Sequence, residues 1–328
     1  MKARKLGVVA ACAATALALT ACGSGDANKD DGDGDGAGAN KDIKLCMYTH
    51  GDGGGFWSVA KKGAQKAADD LGVTLDYQES NNDAEAQAQM IEAGVSGGCQ
   101  GIAVSAPNPD AIKGALAKAT EAKIPIVTMN SGSSVFAELG AMTHVGQDEF
   151  IAGQEAGKKF KELGATKILC PLQEANNIGL QQRCDGAKDT FGNVVNLQLS
   201  SGLADLTKSE AEIQAKLEAD KSIDAVFSLN ADISTGAAIP ASEAVGRDII
   251  NGTVDLSGDA VQAIKDGKMA FAIDQQQYAQ GYLPIVLLYL NKIDGLVLGG
   301  GKPMYTGPGF VTKDNADLVQ KLADEGTR

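Results

Sequence analysis

From Ile43 onward, apolar segments of strand length alternate with amphipathic segments of helix length, and the series runs through twice. This alternation narrows the fold more than any other feature of the chain. IKLCMYT (43–49) reads as a strand, and FWSVAKKGAQKAADDLG (56–72) as a helix with Val59, Ala60, Ala64, Ala67, Ala68 and Leu71 on one face. VTLDYQE is the next strand, and DAEAQAQMIEAGVS (83–96) a helix behind the capping residues Asn81 and Asn82. GIAVSA (101–106) is apolar throughout, as a strand of a parallel sheet covered on both faces must be. A helix over 109–122 and the strand IPIVTMN (124–130) end the first series.

The second series starts with the strand MTHVG (142–146) and a helix over 150–164. KILCPL, a helix around 178–191, VVNLQL, a helix at 208–219 and AVFSLN (225–230) follow. A helix over 232–245, TVDL (253–256), a helix at 258–267 and MAFAID (269–274) complete it, and YLPIVLLYL (282–290) reads as a buried helix. Two such series imply an α/β protein with two doubly wound parallel-sheet, Rossmann-like lobes. In such sheets ligands bind beyond the carboxyl ends of the strands. Polar residues collect there: Asn130 and Asn230 each end a strand, Asp255 lies near a third end, and Asp274-Gln275 ends a fourth.

Several blocks, taken in order, carry a resemblance. FW at the start of the first helix, then KKGAQKAADDLGV, IPIVTMNSG, THVGQDEFIAGQEAGK, RCDGAKDTF, VFSLN, VDLSGDAVQAIKDGK and AIDQQQYAQGY together resemble the type I periplasmic sugar-binding proteins of ABC importers, the ribose-binding group. The resemblance covers nearly all of 43–328. It implies two lobes closing around one sugar, joined by a three-segment hinge with crossings near Gln147, Gln275 and Tyr305. The lobes would comprise 43–146 with 276–305, and 147–275 with 306–328.

The same resemblance supplies a ligand set. Phe56 and Trp57 match the aromatic pair that packs on the sugar, whose C–H face a ring can cover while its hydroxyls need directional partners. Asn130 stands where these proteins carry a carboxylate, and Ser131 where ribose binders often carry arginine. That departure argues for a neutral pentose, hexose or polyol and against ribose itself. Arg183, Asn230, Asp255 and Gln275 match the contacts from the second lobe and the hinge, and the guanidinium fork suits adjacent hydroxyls. HGDGGGF (50–56) lacks the ending and spacing of a phosphate loop and reads as a turn bringing backbone to the ligand, with His50 or Asp52 adding contacts. GLVLGGGKP (295–303) reads as a surface turn.

The start of the chain sets the address. Lys2, Arg4 and Lys5 precede the apolar run GVVAACAATALAL, and Leu19-Thr20-Ala21-Cys22 follows. A basic n-region, an h-region and small residues before a cut define an export signal over 1–21, and LTAC resembles the lipobox of bacterial lipoproteins, which implies lipidation of Cys22. Such a chain is anchored by lipid outside the cytoplasmic membrane rather than spanning it. Residues 22–42, rich in Gly, Asp and Asn, read as a flexible tether. DGDGDG within it lacks the terminal Glu and flanking helices of a calcium loop, so no metal or cofactor is expected.

The formal net charge of -13 argues against nucleic acid as a partner. His50 and His144 are the two histidines, so a histidine triad or zinc site has little to work with. An exported chain favours disulfides. Of three pairings among Cys46, Cys99, Cys170 and Cys184, those expected are 46–99, bridging neighbouring strands, and 170–184, across a strand–loop–helix unit; four buried thiols are the alternative. The expectation is a monomeric, lipid-anchored receptor that takes a neutral monosaccharide or polyol to an ABC permease and is not an enzyme. The alternatives are a receptor reporting to a signalling partner and, further off, a secreted carbohydrate-modifying enzyme.

Overall fold

The computed structural model describes residues 40–328, so the export signal, Cys22 and most of the tether lie outside the described residues. The first sheet contains β1 (Lys44–Thr49), β2 (Thr74–Glu79), β3 (Ile102–Ser105), β4 (Ile126–Met129), β5 (Thr143–Gly146) and β11 (Met304–Tyr305), all parallel, in the order β11-β5-β4-β3-β1-β2. The second contains β6 (Ile168–Leu172), β7 (Val194–Gln198), β8 (Ala225–Ser228), β9 (Ile250–Val254), β10 (Phe271–Asp274) and β12 (Gly309–Val311). Its order is β12-β10-β9-β8-β6-β7, parallel except for the β10–β12 pair. Both orders are those of doubly wound sheets whose switch point faces the carboxyl ends of the strands.

Helices α1 (Gly55–Leu71), α2 (Ala84–Ser96), α3 (Pro109–Glu121) and α10 (Gln277–Asp294) cover the first sheet. The second is covered by α4 (Glu149–Glu162), α5 (Ile178–Phe191), α6 (Leu206–Ala219), α7 (Ala231–Ile233), α8 (Ile239–Ala244), α9 (Gly258–Lys265) and α11 (Ala316–Asp324). A π turn over Ser234–Ala238 joins α7 to α8. Strands β1, β3, β4, β6 and β8 are buried almost throughout, as their continuous apolar runs require, whereas the edge strands β2 and β7 are half-exposed.

Two helix pairs meet backbone to backbone. A Cβ on Gly281 of α10 would lie 1.8 Å from Ala60 O of α1, and one on Gly186 of α5 would lie 2.0 Å from Phe150 O of α4. Only glycine permits either approach. Both disulfides are present, Cys46–Cys99 and Cys170–Cys184. The second ties β6 to α5.

Two local readings change. The strand expected at 253–256 begins at Ile250 and ends before Asp255. Asn251-Gly252 is a turn-type dipeptide, yet Gly252 pairs with Phe227 and Phe271 inside the sheet, and a Cβ there would lie 2.5 Å from the Phe271 ring. The tether stops short of residue 42, since Asn40 Nδ2 donates to Leu71 O (3.0 Å) and to Tyr289 Oη (3.1 Å) and so belongs to the fold.

The chain passes between the sheets after β5, after β10 and after β11. Polar side chains stitch these passages together. Gln280 Nε2 donates to Gln275 O (2.9 Å) and to Thr306 Oγ1 (3.1 Å), and Gln276 Nε2 donates to Thr306 O (2.8 Å). Among the described residues no helix is long and apolar enough to cross a membrane.

Candidate ligand-binding site

The carboxyl ends of the two sheets face each other across one cleft. His50, Asp52, Phe56, Trp57, Asn130 and Ser131 line it from the first sheet's side. Gln173, Glu174, Asn177, Arg183, Asn230 and Asp255 line it from the second, with Gln275 at the passage between them. All eight expected ligand residues therefore border one space. Their partners within the protein decide what each can still offer.

Asn130 and Asp255 occupy equivalent places, one residue beyond β4 and β9. Both hold left-handed backbone, at φ 58° and 76°. Asn and Asp tolerate this region better than most side chains, and strained backbone of this kind collects at functional sites. Phe56 and Trp57 open α1 and pack edge to face, 4.9 Å apart. They rest on Ala60 and Met129 and are nearly buried.

Arg183 reaches the cleft from α5. Its Nε donates to Glu149 and its Nη1 to Leu229 O (2.8 Å), leaving the outer edge of the guanidinium free. Burial opposes its charge, but Glu149, Asp255 and Glu174 together outweigh that and raise its pKa. Glu149 in turn accepts from Gln147 Nε2 (2.9 Å), and its Oε1 is buried without a partner. Breaking such a buried ion pair is costly, since it strands a charge. Burial pushes the Asp255 carboxyl up to about 7, against the pull of Arg183 and of a hydrogen bond from Gln275 Nε2.

The amides are less free than their residue types suggest. Asn230 Oδ1 caps α7, accepting from Asp232 N (2.8 Å) and Ile233 N (3.2 Å). Its Nδ2 faces Asp255 Oδ2 at 3.3 Å, so it offers the cleft a donor and no acceptor. Gln275 gives its amide to Asp255 and takes Gln280 Nε2 at 3.0 Å on its oxygen, which makes it a holder of Asp255. Asn130 accepts the Ser131 hydroxyl (3.1 Å) and keeps its own NH₂ free.

The residue types alone did not single out Glu149, Gln173, Glu174 or Asn177. Glu149 lies in the motif THVGQDEF, but nothing in the spacing distinguishes it from the many acidic residues on helix surfaces. Gln173 Oε1 is buried and unpartnered beside the cleft. The set as a whole is an aromatic wall facing a ring of donors and acceptors, with one cation. It can hold a small, neutral, hydroxyl-rich ring.

This geometry defines a two-lobed solute-binding protein with one ligand site between the lobes. The family model for the periplasmic binding protein domain matches residues 43–295, and the chain belongs to that family. The ribose import binding protein of Haemophilus influenzae is 28% identical over 235 residues, covering 70% of this chain and 79% of that protein. The xylose/arabinose-binding protein of Sulfolobus acidocaldarius is 25% identical over 293 residues, covering 83% and 71%. A carbohydrate transporter from Acidothermus cellulolyticus, solved in complex with myo-inositol, is 38% identical with a TM-score of 0.84, covering 87% of this chain and 99% of that one.

Proposed function

We propose that this protein is the extracytoplasmic receptor of an ABC importer and binds a neutral ring polyol, a cyclitol such as myo-inositol or a monosaccharide, between its lobes. The single observation that carries the reading is the cleft itself, in which an aromatic wall from one lobe faces Arg183, Asn230 and Asp255 from the other. Phe56 and Trp57 cover the apolar face of the ring, while Arg183, Asn130, Asn230 and Asp255 divide its hydroxyls. The lobes move as 43–146 with 276–305 against 147–275 with 306–328, and ligand favours the closed state because it bridges both. The relative solved with myo-inositol supports a cyclitol, and Ser131, which supplies no cation, disfavours sugar acids and phosphates. The chain acts as a binder and not as an enzyme.

Calorimetry against myo-inositol, ribose, arabinose, xylose, glucose and galactose, with a sugar acid and a sugar phosphate as controls, tests this. Tight binding of at least one neutral ring and none of either anion is expected; binding of none of them, or preference for an anion, overturns it. Cys22 anchors the protein by lipid in this reading. Cys22→Ser should move it from the membrane fraction to the medium with unchanged ligand affinity, and a soluble wild-type protein would refute the anchor.

A further inference from the structure

His50 is held on three sides. Its backbone N–H donates to Ser105 Oγ at 2.9 Å, and the same hydroxyl lies 2.7 Å from His50 Nδ1. Nδ1 is the one acceptor in reach of the Ser105 hydroxyl proton among the described residues, so we assign that proton to Nδ1 and the ring proton to Nε2. The ring is also pinned edge to face against Trp57, with centroids 4.7 Å apart. Burial, followed by the Arg183 charge, keeps the imidazole neutral, pulling its pKa down to about 3. The result is a fixed, uncharged N–H donor aimed out of the first lobe.

Its counterpart comes from the second lobe. Glu174 Oε2 stands 3.7 Å from His50 Nε2 and is held there by Asn177 Nδ2, which donates to it at 2.6 Å. Asn177 is fixed in turn, its Oδ1 accepting from Gly179 N (3.0 Å) at the start of α5. The histidine–glutamate separation is too long for a direct hydrogen bond. An oxygen about 2.8 Å from each atom would stand about 2 Å to the side of the line joining them, in the cleft that both residues border. The charged groups acting on the pair are Arg183 and Asp52, and both border the same cleft.

Resting on the polyol-binding reading above, we propose that His50 and Glu174 form a clamp for a single ligand hydroxyl, which accepts from His50 Nε2–H and donates to the Glu174 carboxylate. The two halves belong to different lobes, so the clamp is complete only when the cleft is closed. It adds a donor to the first-lobe wall, where the Ser131 hydroxyl is turned to Asn130. It also selects for a group able to donate and accept at once. A methyl ether, a deoxy carbon or a carboxylate at that position meets an unpaired donor or a repelling charge.

The experiment measures calorimetric affinity of wild type, His50→Phe, His50→Gln and Glu174→Leu for myo-inositol and its full set of mono-deoxy analogues, or for the neutral sugar found to bind and its mono-deoxy forms. Thermal unfolding of each variant checks the fold. His50→Phe and Glu174→Leu should each lose roughly 10- to 100-fold in affinity for the parent ring. His50→Gln, which restores a side-chain N–H, should recover most of the loss. For one deoxy analogue, the one lacking the clamped hydroxyl, wild type and both apolar variants should bind within about threefold of one another. Wild-type affinity in both apolar variants, or an equal loss for the parent and every analogue, overturns the clamp while leaving polyol binding standing. Failure of wild type to bind any neutral ring overturns the functional reading and the clamp together.

Discussion

Asp255 shows how a site residue departs from its ordinary chemistry. Burial raises its pKa to about 7, whereas the unfolded chain ionises near the ordinary carboxylate value of 3.8. Stability from this group is therefore fully present below pH 4 and is lost as pH rises to about 7, where the folded protein must ionise it. The integrated effect is on the order of 4 kcal/mol. His50 and His144, both pulled down to about 3 by burial, act in the opposite sense, since the unfolded chain takes up protons below pH 6.5 and the folded one does not. Asp255→Asn removes only the first trend. Relative to wild type, its melting temperature should gain more at pH 8 than at pH 5, while polyol affinity falls. Parallel melting profiles for the two proteins across that range would contradict the assignment. The sequence pointed to this residue because a polar side chain ended an apolar strand; its altered acidity comes from burial in the closed cleft, against the pull of Arg183 and Gln275, which no local pattern reveals.

At the scale of elements, the site depends on how closely helices can pack. α5 carries Arg183 and lies against α4, which carries Glu149, with Gly153 and Gly186 at their contact. A Cβ on Gly153 would lie 2.1 Å from Arg183 O itself. Gly153→Ala must therefore push apart the two helices that hold the buried ion pair. It should destabilise the protein by roughly 1–3 kcal/mol, as overpacking does, and weaken ligand binding through Arg183. An exposed glycine with an open surround, Gly114, is the control and should tolerate alanine. Denaturant unfolding with calorimetry on both variants decides, and equal stability of Gly153→Ala and wild type would refute the packing argument.

The same scale shows what was legible in advance. Alternating periods gave nearly every strand and helix, and the cysteines beside neighbouring strands gave the first disulfide. The bounds of β9 differ, Ile250–Val254 against 253–256, because Asn251-Gly252 is no strand signal until the Phe271 ring packed on Gly252 is seen. Glu149 and Glu174 stayed hidden for another reason: each matters through a partner far away in the chain, Arg183 for Glu149 and His50 across the cleft for Glu174, and Asn177 matters only through its neighbour Glu174.

At the scale of the whole molecule, the structure is closed, and some of what holds it closed lies outside the site. Ile178 N donates to Pro107 O (3.1 Å) and Gln182 Nε2 to Ser134 Oγ (3.1 Å), both across the cleft. The most telling contact is at α1. This helix begins at Gly54 with no side-chain cap and no acidic residue in its first turn. Asp52 Oδ1 of the same lobe accepts from Gly54 N (3.0 Å), and the next donor is met from the opposite lobe, where Asp232 Oδ2 accepts from Gly55 N at 3.2 Å. An N-terminal carboxylate satisfies an orphan donor and favours the helix dipole, effects each worth about 0.5–1 kcal/mol. Opening the lobes removes it, so Asp232 stabilises the closed state without lining the ligand pocket. Asp232→Ala should raise Kd about three- to tenfold, chiefly through faster dissociation, because association starts from the open form. Trp57, the sole tryptophan, lies in the cleft and gives a fluorescence signal for stopped-flow measurement of both rates. High salt should shrink the difference between variant and wild type. If the dissociation rate is unchanged, or only association slows, Asp232 is a surface residue of the second lobe and closure is governed by the ligand contacts and the hinge.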